Sequence, residues 1–234
     1  MSDYRGSEQV GTHSLSIDQG LRAYMIRVYN YMALGLVVTG ISAYATLASG
    51  YAPVLFSGPM KWVVLLAPLA MVMFLSFRIQ TLSVPAAQMA FWVYAALVGV
   101  SLTPIAFIYT GASIAKVFFI TAAAFGSLSL YGYTTKRDLT AFGAFLFMGL
   151  IGLIIASLVN IFLASSALSF ALSIVGVLVF TGLTAYDTQR IKSLYYQSSD
   201  SVSLGRMAVM GALTLYLDFI NMFMSLLRLF GDRR

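Results

Sequence analysis

Residues 207–230 read MAVMGALTLYLDFINMFMSLLRLF. The stretch has the length of a bilayer-spanning helix, about 17 to 25 residues. It carries a single carboxylate, Asp218, between Leu217 and Phe219 near its middle. At that depth an acid costs roughly +2.5 to +3.5 kcal/mol on insertion scales, so the default reading of such a residue is functional. On a helix, Thr214, Asn221 and Ser225 lie at i−4, i+3 and i+7 from Asp218 and share its face. This polar stripe is expected to turn away from lipid. Threonine and serine alone would only tie helices together by hydrogen bonds, but a mid-span carboxylate beside an asparagine reads as a site.

The rest of the chain has the same character. Of its 234 residues, 60% are hydrophobic and 9% charged, whereas a soluble domain is about a quarter charged. No soluble fold hides that much apolar surface, so the chain is read as an integral membrane protein. Cysteine is absent, which removes thiolate metal sites and thiol nucleophiles. The net charge of +6 does not point to nucleic acid, because basic residues at segment ends are what membrane orientation requires. Residues 1–19 are polar, contain Asp3, Glu8 and Asp18, and lack the order of a cleavable signal peptide. They read as a cytoplasmic tail in front of one membrane domain, residues 20–234.

Seven segments reach spanning length: 28–48, 62–77, 86–109, 113–133, 139–163, 168–188 and 207–230. Their apolar runs are continuous rather than alternating, which predicts helices and not barrel strands. The fold class is therefore all-α and polytopic. Pro68 and Pro104 are expected to kink their helices. The longest connection, 189–206, is polar and includes Ser198, Ser199, Asp200 and Ser201. Tyr109, Tyr131, Tyr133, Tyr195 and Tyr196 fall at segment ends, where aromatic belts sit. Ala122 with Gly126, and Gly149 near Gly152, predict close helix approach inside the chain.

With the N-terminus inside, the cytoplasmic side holds nine basic residues: Arg5, Arg22, Arg27, Arg78, Lys136, Arg137, Arg190, Lys192 and Arg206. The other side holds five: Lys61, Lys116, Arg228, Arg233 and Arg234. This imbalance predicts a cytoplasmic N-terminus. The side of Arg233 and Arg234 is left open, since an incomplete last helix would return them to the cytoplasm.

A second acid, Asp187, lies near the end of the sixth segment. There it reads either as a boundary carboxylate, paired with Arg190 at i+3, or as the partner of Asp218. Two carboxylates in one site cannot both ionise freely; they share a proton, or a cation binds between them. Oxygen-only ligands suit Ca2+. Arg78 and Arg228 read by default as anchors at helix ends, with pairing to one of the acids as the functional alternative. His13, the only histidine, is given no role.

Residues 180–192, FTGLTAYDTQRIK, resemble the signature of the Bax inhibitor-1 (transmembrane Bax inhibitor motif) family. ALTLYLDFINMFMSLLRLFG, residues 212–231, is similar to that family's last helix, and LRAYMIRVYNYMALGLVVTGISAY, residues 21–44, to its first. The prokaryotic, membrane-protease-associated branch looks closest. The resemblance implies seven helices with six packed around the last. It also implies a pH-sensitive Ca2+ leak with Asp187 and Asp218 as a hydrogen-bonded, proton-sensing pair. Arg78 matches the basic residue of the second helix that pairs with the first acid, and Arg228 the basic residue after the second acid. Relatives can carry an acid within the second helix; segment 62–77 has none, which leaves Arg228 without an identified partner. The implied pairing also needs the two acids level, whereas the spans above put Asp187 shallower than Asp218.

The expected function is a Ca2+ leak of the bacterial inner membrane, gated by the acid pair and needing no cofactor. The alternative is a regulatory protein whose tail, 1–19, binds a membrane-bound protease. An intramembrane aspartyl protease is disfavoured, because Asp218 sits in Tyr-Leu-Asp-Phe without the glycine-flanked context of such enzymes. The chain is thus not expected to be an enzyme.

Overall fold

The structure, a computed structural model, describes residues 3–197 and 200–234, with side chains from residue 19 onward. His13, Ser198 and Ser199 lie outside the described side chains, as does all of the polar tail up to residue 18. The helices are α1 (Asp3–Ala48), α2 (Ala52–Leu55), α3 (Met60–Arg78), α4 (Val84–Leu102), α5 (Ile105–Ile108), α6 (Gly111–Thr134), α7 (Thr140–Leu163), α8 (Ser166–Gln197) and α9 (Ser201–Phe230). Among the described residues, seven spans are long and apolar enough to cross a membrane, the third being α4 and α5 together. The chain is an all-α polytopic membrane protein.

Pro104 separates α4 from α5, because its ring displaces the carbonyl one turn back and it has no N–H to give. Pro68 sits inside an uninterrupted α3. The sixth segment is longer than its hydropathy indicated. α8 continues to Gln197 and α9 starts at Ser201, so most of the 189–206 connection is helical. Apolar length measures the thickness of the hydrocarbon, while a helix can run on with lysine and arginine stems reaching to the interface. Asp187 is consequently ten residues inside its helix and buried.

α9 is the most enclosed span and α3 and α7 the least. Its close neighbours are α1, α4, α6 and α8, while α3 packs on α4, and α7 on α8. Tyr216, fully buried, meets Phe91 and Tyr94 of α4 edge-on at 5.8 and 5.7 Å. Its hydroxyl lies 2.6 Å from that of Thr39 on α1. Phe219 meets Phe118 and Phe125 of α6 at 5.4 and 5.6 Å. Each such ring pair contributes about 0.5 to 1.5 kcal/mol beyond its area.

The close helix approaches fall at glycines other than the expected ones. A Cβ at Gly126 or Gly152 would meet nothing within 4 Å, and at Gly149 only Val179 Cγ2 at 3.3 Å. A Cβ at Gly132 would lie 2.1 Å from the Ala185 carbonyl oxygen of α8, and at Gly99 2.3 Å from that of Thr39. Backbone against backbone is what small residues permit in lipid.

Residues after α9 turn back onto the start of α6. Thr110 N–H donates to the Asp232 carbonyl (3.1 Å), Arg234 N–H to that of Ile108 (3.0 Å), and Asp232 N–H to Ser113 Oγ (2.9 Å). Arg233 and Arg234 therefore sit at the end of the bundle opposite Arg78, Lys136, Arg137, Arg190 and Arg206, here called the basic end. With the basic end cytoplasmic, Ser193→Cys should be labelled by an impermeant thiol reagent only after cell lysis. Ser57→Cys should be labelled in intact spheroplasts. The reverse pattern would invert the topology, and the absence of native cysteine makes the readout clean.

Candidate functional site

The polar stripe of α9 lines a cavity of about 990 Å³. α7, α8 and α9 form its walls; α3 contributes only Leu69. Thr214, Asp218, Asn221, Ser225 and Arg228 all face it, in that order from the basic end to the far end. Asn221 Nδ2 donates to the Leu217 carbonyl, and Ser225 Oγ to that of Asn221, both at 2.8 Å. The serine is thus satisfied by its own helix, and among the described residues Asn221 Oδ1 accepts no hydrogen bond.

Asp187 and Asp218 come together. α8 and α9 cross so that the two carboxyl groups are in hydrogen-bonding contact, both buried, at 7% and 4% exposure. Asp218 Oδ2 is enclosed and has no hydrogen-bond partner among the described residues. Two touching carboxyl groups need a proton or a cation between them, since two bare negative charges at that separation repel strongly. The acids are level because α8 overshoots the apolar segment, which corrects the shallower placement read from hydropathy.

The basic residue that acts on Asp187 is Arg190, one turn along the same helix. Arg78 is exposed at the last turn of α3 and lines none of the hollows around the pair. Arg228 is exposed at the far mouth of the large cavity. A second cavity, about 420 Å³, lies on the basic side of the acids between α3, α8 and α9. Asp187, Arg190 and Thr214 line both cavities. Among the described residues no three of His, Cys, Asp and Glu group as a metal site.

Sequence reading missed the ties that hold α8 in place. Tyr29 of α1 bonds Ser129 of α6 at 2.6 Å, and Ser129 bonds Thr188, beside Asp187, at 2.9 Å. Thr188 also donates to the Thr184 carbonyl at 2.8 Å. No local pattern announces partners so far apart in sequence. On the other face, Tyr186 lays its ring against Gly143 of α7, where a Cβ would come within 2.4 Å of it.

The sequence profile of the family described as inhibitor of apoptosis-promoting Bax1 matches residues 21–234. The protein RP147 of Rickettsia prowazekii is 48% identical over 235 residues, covering 100% of both chains. Inner membrane protein YbhL of Escherichia coli K12 is 49% identical over 219 residues, 92% of this chain and 94% of that one. A protein of Borreliella burgdorferi is 44% identical over 214 residues, 90% of this chain and 92% of its own. With a profile that spans nearly all of the chain and relatives of matching length, this protein belongs to the Bax inhibitor-1 family.

Proposed function

We propose that this protein is a pH-sensitive Ca2+ leak of the bacterial inner membrane, with its N-terminus cytoplasmic and Asp187 and Asp218 as the gate. The observation that carries the reading is the position of the acid pair on the wall of a cavity that runs from Thr140 and Arg190 at the basic end to Arg228 at the far end, with Asp187 also lining the second cavity on the basic side. An ion crossing the protein along these hollows meets both carboxylates. Two acids with the oxygens of Thr214 and Asn221 supply a hard-cation site of low charge count, and low charge count means weak binding. Weak binding suits passage, because a permeant ion must leave as readily as it enters. Arg228 at the far mouth opposes cation entry electrostatically, which makes the protein a slow leak rather than a fast channel.

In the closed state one proton holds the two carboxyl groups together. Its loss sets like charges against each other, and one carboxylate swings toward Arg190, which already stands within electrostatic reach. Arg78 would have to move in with α3 to play the same part. The test is Ca2+ influx into liposomes holding the purified protein, between about pH 5 and pH 8. Influx should rise with pH. Well-folded protein that passes no Ca2+ at any of these pH values would sink the proposal. Arg190→Gln should keep influx measurable but weaken its pH response, whereas Arg78→Gln should change it little. The opposite ranking would return the gating role to Arg78.

The relative named as an inner membrane protein supports the location. The alternative, binding of a membrane-bound protease, rests on the polar tail, residues 1–19, whose side chains up to residue 18 lie outside those described.

A further inference from the structure

We infer that the groove walled by α7, α8 and α9 seats an acidic phospholipid, its phosphate held at the basic end by Lys136, Arg137 and Arg190. This inference does not rest on ion passage. The groove has three helical walls, and its fourth side is closed only by Leu69 of α3. α3 and α7 are the two least enclosed spans, so the opening between them faces the bilayer. Along α7 the lining runs from Thr140 to Ile161, which at 1.5 Å per residue is about 30 Å, the thickness of the hydrocarbon core. Between those ends the α7 wall is mostly apolar, with Phe147, Leu150, Ile154 and Leu158 among its residues.

The basic end differs in kind. A third hollow, about 340 Å³, shares Thr140, Tyr186 and Arg190 with the groove and is rimmed by Lys136 and Arg137. The loop that carries these two is fixed by Gln189, whose Oε1 accepts from Leu139 N–H (2.9 Å) and whose Nε2 donates to the Arg137 carbonyl (2.7 Å). The acid in this hollow, Asp138, is engaged by the Thr140 hydroxyl (2.6 Å) and N–H (2.9 Å). The Thr140 hydroxyl bond, then the Thr140 N–H bond, hold its carboxyl below the ordinary value. Three cations against Asp138, already engaged, and Asp187, one turn from Arg190 in the groove, still leave a net positive charge at headgroup depth. An apolar trough of bilayer height leads away from it. Basic hollows between transmembrane helices at the cytoplasmic surface are sites for anionic headgroups. A free anion would satisfy the charges and leave the trough unexplained; a neutral lipid would fill the trough and ignore the charges.

The test is lipid binding to the full-length protein in detergent, read by native mass spectrometry. Phosphatidylglycerol, phosphatidylcholine of the same chains and inorganic phosphate are added separately. Phosphatidylglycerol should bind with one tight site, and phosphatidylcholine much more weakly. Lys136→Gln/Arg137→Gln changes only exposed loop side chains and should weaken phosphatidylglycerol about thirtyfold, since each interfacial charge contributes roughly fivefold. Ile154→Trp, at a side chain 53% exposed in the groove wall, should displace the lipid while leaving all three cations in place. Equal binding of the two lipids, or displacement of phosphatidylglycerol by inorganic phosphate with Ile154→Trp silent, would overturn the inference.

Discussion

Gly132→Leu is expected to abolish recovery of folded protein from the membrane. The Gly132 α-carbon faces the backbone of α8, and a methyl group alone would come within 2.1 Å of the Ala185 oxygen and 2.9 Å of its carbonyl carbon. Neither atom belongs to a flexible side chain, so relief requires α6 and α8 to separate by more than an ångström. That separation breaks the Ser129–Thr188 bond one turn before Gly132 and loosens packing along the whole contact. Lipid supplies no hydrophobic force to press the helices back together. Overpacking typically costs about 1 to 3 kcal/mol, which is the range expected for Gly132→Ala; leucine adds three more carbons to a contact already filled by backbone. Size-exclusion profiles of detergent extracts should show monodisperse protein for the parent, a reduced peak for Gly132→Ala and aggregate for Gly132→Leu. The same replacements at Gly126, where nothing lies within 4 Å, should be tolerated. Equal recovery of Gly132→Leu and Gly126→Leu would mean that the α6–α8 approach is looser than described.

The second large effect concerns the acid pair. Asp218→Asn keeps the volume and removes the charge, and its amide can still donate to Asp187. The two residues then share no proton, and Asp187 ionises with no like charge beside it, so most of the pH response of influx should be lost. It should settle low, because the amide still donates to Asp187 and no repelling charge pushes the two apart. Asp187→Asn should do the same from the other side. The doubly substituted protein should pass no more Ca2+ than empty liposomes, since both carboxylates on the path are gone. Non-additivity is expected, as the two residues act as one unit. Unchanged flux and an unchanged pH response in Asp218→Asn would leave the acids as a structural pair.

Much of this was legible in the residues. The seven spans follow from apolar length, a direct measure of the bilayer. The stripe on α9 follows from helical spacing, which set Thr214, Asp218, Asn221 and Ser225 on one face before their common cavity was seen. The position of Asp187 was not legible, because hydropathy ends where the hydrocarbon ends, while α8 runs on to Gln197. Arg190 was visible as a neighbour of Asp187 at i+3, yet nothing in the sequence ranks it above Arg78, since the location of α3 relative to α8 is a tertiary fact. Gly132 and Gly99 were missed for the same reason. Glycine spacing within one helix does not tell which glycine faces another backbone.

The burial of α9 bears on how the protein is made. Translation delivers α1, α4, α6 and α8 to the membrane before the helix they enclose. Until residues 207–230 arrive, Phe91, Tyr94, Phe118 and Phe125 lack the contacts that Tyr216 and Phe219 supply, and Asp187 lacks the second carboxyl of its pair. α9 therefore enters among helices that precede it in the chain, and it brings the second carboxyl with it. A ribosome that stops before residue 207 leaves α1, α4, α6 and α8 without the helix that all four pack against, and their uncovered inner faces become what quality-control proteases recognise.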